Sequence, residues 1–157
     1  MEKYINRLFH VCITVEDIEE ALKFYCDVLG LESIGSLRNE KADGAVLGFP
    51  GQEIEINADH LVGTTKENAT VIDLIQYITP KTVYGDGPVK EMNRVGLTRM
   101  AFGVDNIDEI YQKLLKRGDI EFFCEPIKLN AVDGGWLKVV TFRDPFGITM
   151  EFIEAGH

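Results

Sequence analysis

The sequence has no CxxC pair and only three cysteines, Cys12, Cys26 and Cys124, set far apart. An odd, scattered set fits reduced thiols used as small apolar fillers better than a disulfide framework or a zinc knuckle. Long apolar runs are also missing. No stretch approaches the roughly 20 residues of a bilayer-spanning helix, and the opening Met1-Glu2-Lys3-Tyr4 lacks the charged-then-apolar order of a signal peptide. Positive charge is short as well: 16 basic side chains face 26 acidic ones, a formal net charge of -10. A surface of that sign suits neither nucleic acid nor an anionic membrane as partner, and the cytoplasm is the expected compartment. The acidic residues are spread along the chain and read as a solvated surface. What the chain does have is apolar content, 45% of 157 residues. That is enough for one compact domain, here residues 1–157, burying about two-thirds of its unfolded surface.

An internal repeat organises the chain. One copy runs through the strand-like Leu8 to Val15, a helical stretch from Asp17, and a stop at Gly30. The other runs through Leu97 to Val104, a helical stretch from Asn106, and a stop at Gly118. Val11, Ile13 and Val15 alternate in the first strand, as Met100, Phe102 and Val104 do in the second. Asp17 and Asn106 are candidate N-caps, with Glu20 and Glu109 three residues on, where each would reach back to the cap's amide. Helical spacing then gives an apolar stripe at Ile18, Ala21, Leu22, Tyr25, Val28 and Leu29, and at Ile107, Ile110, Tyr111 and Leu114. Both stripes read as core packing. Gly30 and Gly118 fit a left-handed helix end.

Further strands are expected over Leu31–Leu37, Ala45–Ile56 and Thr70–Ile78 in copy one, with Asn57–Ala69 as an inserted loop. Copy two is expected to add Ile120–Cys124, Trp136–Phe142 and Ile148–Ile153. Its Asp144-Pro145-Phe146-Gly147 suits a tight turn, since Pro fixes φ and Gly accepts a positive one. The polar stretch around Gly85-Asp86-Gly87-Pro88 reads as a linker, which puts module one at about 4–80, the linker at about 81–94 and module two at about 95–155.

His10-x-x-Ile-x-Val-x-Asp17-Ile-x-x-Ala-x-x-Phe24-Tyr25, followed by Val28-Leu29-Gly30-Leu31, resembles the opening module of the vicinal oxygen chelate superfamily. That group includes glyoxalases, epimerases, extradiol dioxygenases and bleomycin-resistance proteins. Asp144-Pro145-x-Gly147-x-x-x-Glu151 resembles the close of its second module. The resemblance covers about residues 5 to 154 and implies an α+β fold, two βαβββ modules forming a cupped mixed sheet, usually completed in a homodimer. It also implies a small-molecule ligand. Metal-using members place one ligand on the first and one on the last strand of each module. Carried over, those positions are His10, Asp73, Arg99 and Glu151; Glu55 rivals Asp73 because Gly51-x-x-x-Glu55 repeats the Gly147-x-x-x-Glu151 spacing.

Strand alternation puts His10 on one face with Cys12 and Thr14, Arg99 with Ala101 and Gly103, Asp73 with Ile75 and Tyr77, and Glu151 with Thr149 and Ile153. Small side chains beside the polar ones leave room for a ligand. Arg99 breaks the metal pattern, because a guanidinium is always protonated and has no lone pair to give. His10, Asp73 and Glu151 remain as donors for one divalent ion (Zn, Ni, Mn, Co or Fe), with no metal at all as the alternative. Arg99 reads either as a clamp for an anionic ligand oxygen or as an internal ion pair with Asp73 or Glu151. His10 and Glu151 are the candidate catalytic acid or base. Tyr77 and Thr14 join Arg99 as candidate substrate-binding residues. His60, in the inserted loop, and His157 read as solvated. Trp136, Phe122 and Phe123 read as core before pocket wall.

Two functions follow from the resemblance. One is an enzyme of lyase, isomerase or epimerase type acting on a small oxygenated metabolite. The other is a metal-free binding protein of the bleomycin-resistance type. An extradiol dioxygenase fits less well, since those members draw iron ligands from one module with two histidines, and the strands of copy two hold none.

Overall fold

In the computed structural model, which describes residues 4–132 and 134–156, the alternating Val11 and Ile13 lie in strand β1 (His10–Thr14). His157 lies outside the described residues. The chain divides into two units, one ending at Gly85 and the other starting at Asp86.

In the first unit, β1 leads into helix α1 (Ile18–Leu22), capped by Asp17, whose carboxylate accepts from the amides of Glu19 at 3.0 Å and Glu20 at 3.1 Å. Glu20 does not return to the cap as expected; it pairs with Lys23 instead. After Leu22 the helix widens into a π-helical turn (Lys23–Val28). The wider turn brings consecutive residues Phe24 and Tyr25 both into the core, so Phe24 joins a stripe that 3.6-residue spacing had not given it. Leu22, Val28 and Leu29 are only half-buried. Gly30, at φ 78°, ends the helix with its amide on the Cys26 carbonyl at 3.0 Å.

Three more strands follow: β2 (Glu32–Asp43), β3 (Glu53–Val62) and β4 (Val71–Thr79). They order as β1-β4-β3-β2, with β1 parallel to β4 and the other pairs antiparallel. Two expectations need correction here. The strand predicted over Ala45–Ile56 begins later, because a 3₁₀ turn (Gly44–Leu47) intervenes. That turn is tight: a Cβ on Gly44 would lie 2.7 Å from an Ile54 methyl. The predicted loop Asn57–Ala69 is strand as far as Val62, since Asn57 to Leu61 pair residue by residue with β4. Polarity misled because its groups are satisfied inside the sheet. Asn57 accepts from the Asn39 amide at 2.7 Å, and the buried Asp59 carboxylate accepts from Ser33 at 2.7 Å and Arg38 at 2.6 Å. β2 also runs past Leu37, bent by irregularities between Ser33 and Gly35 and between Leu37 and Glu40.

The second unit repeats the plan. Strand β5 (Met100–Gly103) leads to helix α2 (Ile107–Leu115), which ends before Gly118 at φ 79°. Strands β6 (Glu121–Phe122), β7 (Ile127–Asn130), β8 (Trp136–Arg143) and β9 (Thr149–Gly156) complete it. The order is β5-β9-β8-β6, with β7 also paired to β8 and β5 parallel to β9. The short strand β7 had no counterpart in the sequence reading. Asn106 is not the side-chain cap expected of it. It sits in the left-handed region at φ 57° with no side-chain bond to the helix, and the Ile107 amide donates to Glu154 on β9 at 2.7 Å. Glu109 pairs with Lys113. The Asp144–Gly147 turn forms as predicted: the Gly147 amide reaches the Asp144 carbonyl at 3.0 Å, and the Asp144 carboxylate takes the amides of Phe146 and Ile148.

Each sheet buries one face under its helix. In the first unit Ile13, Leu61, Ile72 and Leu74 are buried, as are Ile18, Ala21 and Tyr25. In the second, Ile107, Tyr111 and Leu114 are buried with Val140, Phe142, Met150 and Phe152, and the Phe142 and Phe152 rings lie 4.7 Å apart. Side chains of this size stabilise by about 1.5–3 kcal/mol each when fully buried. The helices thus fix which way every strand faces, and leave the opposite face of each sheet for other uses.

Candidate functional site

On the first unit's open face, pairing register decides which side chains meet. Cys12 lies opposite Asp73, which lies opposite His60; Thr14 lies opposite Ile75, which lies opposite Ala58. The Asp73 carboxylate, with its side chain 19% exposed, sits 3.4 Å from the Nε2 of His60, which is 48% exposed. His60 is therefore a strand residue on the candidate face, not the loop residue the sequence suggested. The alternation Ile54, Ile56, Ala58 pointed to it, had it been continued past Asn57. Below this polar end lies an apolar one, where Ile54, Ile56, Ala58 and Ile75 cluster and Phe49 and Tyr77 pack against them.

Burial is the main cause pushing the Cys12 thiol up to about 11; the charge of Asp73 adds to it and a hydrogen bond with Thr14 opposes it. The Tyr77 phenol is raised for the same kinds of reason, first burial and then the nearby Cys12 and Asp73. Cys12, Thr14, Asp73, His60 and Tyr77 thus form one neighbourhood. His10 is on the same strand face but exposed, its ring edge-on to Phe9 with centroids 5.7 Å apart.

On the second unit's open face, Arg99 Nε donates to Glu151 Oε2 at 3.1 Å, and Thr141 donates to the same oxygen at 3.0 Å. Arg99 is 46% exposed and Glu151 13%. Ala101, Glu151 and Thr141 stand in register across β5, β9 and β8. Phe122 packs on Tyr111 and Phe142 in the core, and Trp136 lies over Gly156, where a Cβ would come within 2.5 Å of the indole. Phe123 is exposed and carries the Arg143 guanidinium over its ring at 4.7 Å.

The two units are internally alike at these positions. His10 precedes by two residues the partner of Asp73, and Arg99 precedes by two the partner of Glu151. Asp73 on the closing strand β4 is thus the counterpart of Glu151 on β9. Glu55 lies on β3, opposite Thr79 and Lys41, and alternates with Ile54 and Ile56, so it points away from the open face.

The second unit's residues do not suit a divalent ion. Among the described residues no three His, Cys, Asp or Glu side chains converge to hold one. In the second unit the single candidate ligand, Glu151, has Oε2 shared between a hydroxyl and a fixed cation. A guanidinium at that distance repels a second cation and takes up the carboxylate's charge.

No helix among the described residues is long and apolar enough to cross a membrane. A family model described as the Glyoxalase/Bleomycin resistance protein/Dioxygenase superfamily matches residues 7–152. A probable lactoylglutathione lyase of Synechocystis sp. is 25% identical over 95% of both chains. The lactoylglutathione lyase of Haemophilus influenzae is 26% identical over 94% of this chain and 92% of its own. A solved glyoxalase family protein from Bacillus cereus superposes with a TM-score of 0.80 at 25% identity, covering 99% of this chain and 98% of that one.

Proposed function

Since the chain belongs to the Glyoxalase/Bleomycin resistance protein/Dioxygenase superfamily, we propose that it is a small-molecule enzyme of lyase, isomerase or epimerase type in which Arg99 does the work a metal ion would otherwise do. The observation that carries this reading is the bond from Arg99 Nε to Glu151 Oε2 at 3.1 Å. It engages the half-exposed guanidinium through Nε, and the terminal nitrogens would hold a carbonyl oxygen of a ligand and stabilise it as an enolate. Thr141 and Arg99 share Oε2, so Oε1 is the oxygen left to take a proton from the neighbouring carbon. On the first unit's face, His10 is a candidate acid or base, and Tyr77 and Thr14 are candidate hydrogen-bonding groups for the ligand.

The names of the two curated relatives favour the lyase branch. The second reading, binding without turnover, is favoured by the same arginine, since a fixed guanidinium can hold an anionic ligand oxygen without any chemical step. Exposed Ile34, Leu37, Phe123, Ile127 and Leu129 support a homodimer as the working form.

Elemental analysis of protein purified without chelator tests the metal-free claim. Wild type is expected to carry no stoichiometric transition metal and an Arg99→His variant to gain one; stoichiometric metal in wild type sinks the reading. Incubation with lactoylglutathione separates the branches. Its consumption, lost in Glu151→Gln, marks an enzyme of that class, while saturable binding without consumption marks a carrier.

A further inference from the structure

The open faces of the two units match position by position as far as Asp73 and Glu151, and beyond that point they differ. Two residues further along each closing strand stand Ile75 and Ile153, and two further again stand Tyr77 and Ala155. Register supplies the neighbours: Ile75 lies between Thr14 and Ala58, and Ile153 between Gly103 and Val139. Tyr77 lies opposite Ile56, and Ala155 opposite Leu137. In the first unit this part of the face is closed. Ile56, Ala58 and Ile75 are buried, and Phe49 and Tyr77 pack on them with their rings 5.9 Å apart. In the second unit it is open. Ile153, Val139 and Leu137 are only part-buried, and Gly103 and Ala155 are exposed.

Neither common reason for a glycine applies to Gly103. Its φ is not positive, and a Cβ built on it would meet no atom within 4 Å. Glycine weakens a strand and often marks the place where a ligand or another backbone comes close. No protein atom of this chain comes close here. Where the first unit sets a threonine and a tyrosine ring, the second has a hydrogen and a methyl group beside an apolar strip.

The strip ends at charge. Glu151 stands two residues before Ile153 on β9, about 7 Å along the strand, and it holds Arg99, whose guanidinium is 46% exposed. A cation at one end and uncovered apolar side chains at the other complement a molecule with the same division. We infer that the second unit's strip receives the apolar group of a ligand, of about the bulk of an aromatic ring, while the ligand's carbonyl or carboxylate oxygen faces Arg99. Gly103 and Ala155 determine this specificity by leaving the space that side chains fill in the first unit. The inference rests on the proposed function for placing the oxygen at Arg99, and it adds the substrate class: oxo or carboxylate compounds that bear a ring or a branched alkyl group. The rival occupant is a second copy of the chain, since half-exposed Ile127 and Leu129 border the strip on β7.

The test is a calorimetric titration of the full chain with acetate, phenylacetate and 3-phenylpropionate, with carbon-13 methyl spectra of Ile153 and Val139 as a second readout. A ring resting on one apolar face is expected to tighten binding about tenfold over acetate, and to shift both sets of methyl signals. Gly103→Val and Ala155→Tyr each fill the space and are expected to bring 3-phenylpropionate back to the acetate level. Gly103→Val should keep a urea midpoint at or above that of wild type, because its new side chain displaces nothing. Equal affinity for the three acids, a ring gain that survives both substitutions, or no binding of any acid overturns the inference. So does a dimer that Ala155→Tyr dissociates while the ring gain stays as in wild type, since a second copy then covers the strip. Stoichiometric metal in wild type would sink the metal-free reading and leave the ring gain in place. A missing ring gain sinks this inference and leaves the metal content as it is.

Discussion

Cys12 gives the residue scale its clearest prediction. Its thiol is pushed up to about 11, first by desolvation and then by Asp73, although the residue as a whole is exposed. Only the thiolate attacks an alkylating agent, so iodoacetamide should label Cys12 slowly at pH 8 and faster as pH approaches 11. Asp73→Asn removes the charge that raises it, and labelling of Cys12 at pH 9 should then be faster than in wild type, measured by peptide mass spectrometry. The sign for stability follows from linkage. A folded value above the 9.0 of the free thiol means a contribution that is full below pH 9 and is lost as pH rises through 11. That His10 and Glu151 lie on the sheet face away from the helix was legible from strand alternation, as was the pairing of Arg99 with Glu151 as one of its two readings. The contacts of His60 with Asp73 and of Thr141 with Glu151 were not. They come from which neighbour a strand register supplies, and register is a property of pairing that no single strand's sequence contains.

At the scale of elements, the start of α2 departs most from its sequence. Its first amide is capped from β9 by Glu154, while Asn106 contributes a left-handed backbone and no side-chain bond. Glu154→Gln should therefore lower stability by about 1 kcal/mol, a charge-assisted bond reduced to a neutral one. Asn106→Gly should be neutral or mildly stabilising, because glycine adopts φ 57° without strain. Urea midpoints of the two variants check both, and a larger loss in Asn106→Gly would restore the side-chain cap. The repeat itself was readable because helix stops and strand alternation are local signals. The extension of β3 through Asn57, Asp59 and His60 was not, since its polar groups are paid for by partners up to 26 residues away, as in the Ser33 bond to Asp59. Likewise β7 is four residues long and entirely exposed, and only its pairing with β8 makes it a strand.

For the whole molecule, the proposed homodimer has a direct check. Sedimentation equilibrium should return twice the 17.6 kDa of one chain, and dissociation should ease at low salt, where the -10 carried by each copy is least screened. A monomer at all concentrations would remove the dimer from the proposal while leaving the chemistry of each face as described.

Both sheets are closed by pairing the unit's first strand, in parallel, with its last: β1 with β4 and β5 with β9. This has a consequence in time. On the ribosome, β1 has no partner until Val71 to Thr79 have emerged, and β5 none until Thr149 and beyond. Contacts of such long separation are slow to form, since loop entropy is lost before any pairing repays it. The first unit can close while the second is still being made. The second closes only with the final residues of the sheet, and with it comes Glu151, so the ion pair with Arg99 is the last to form.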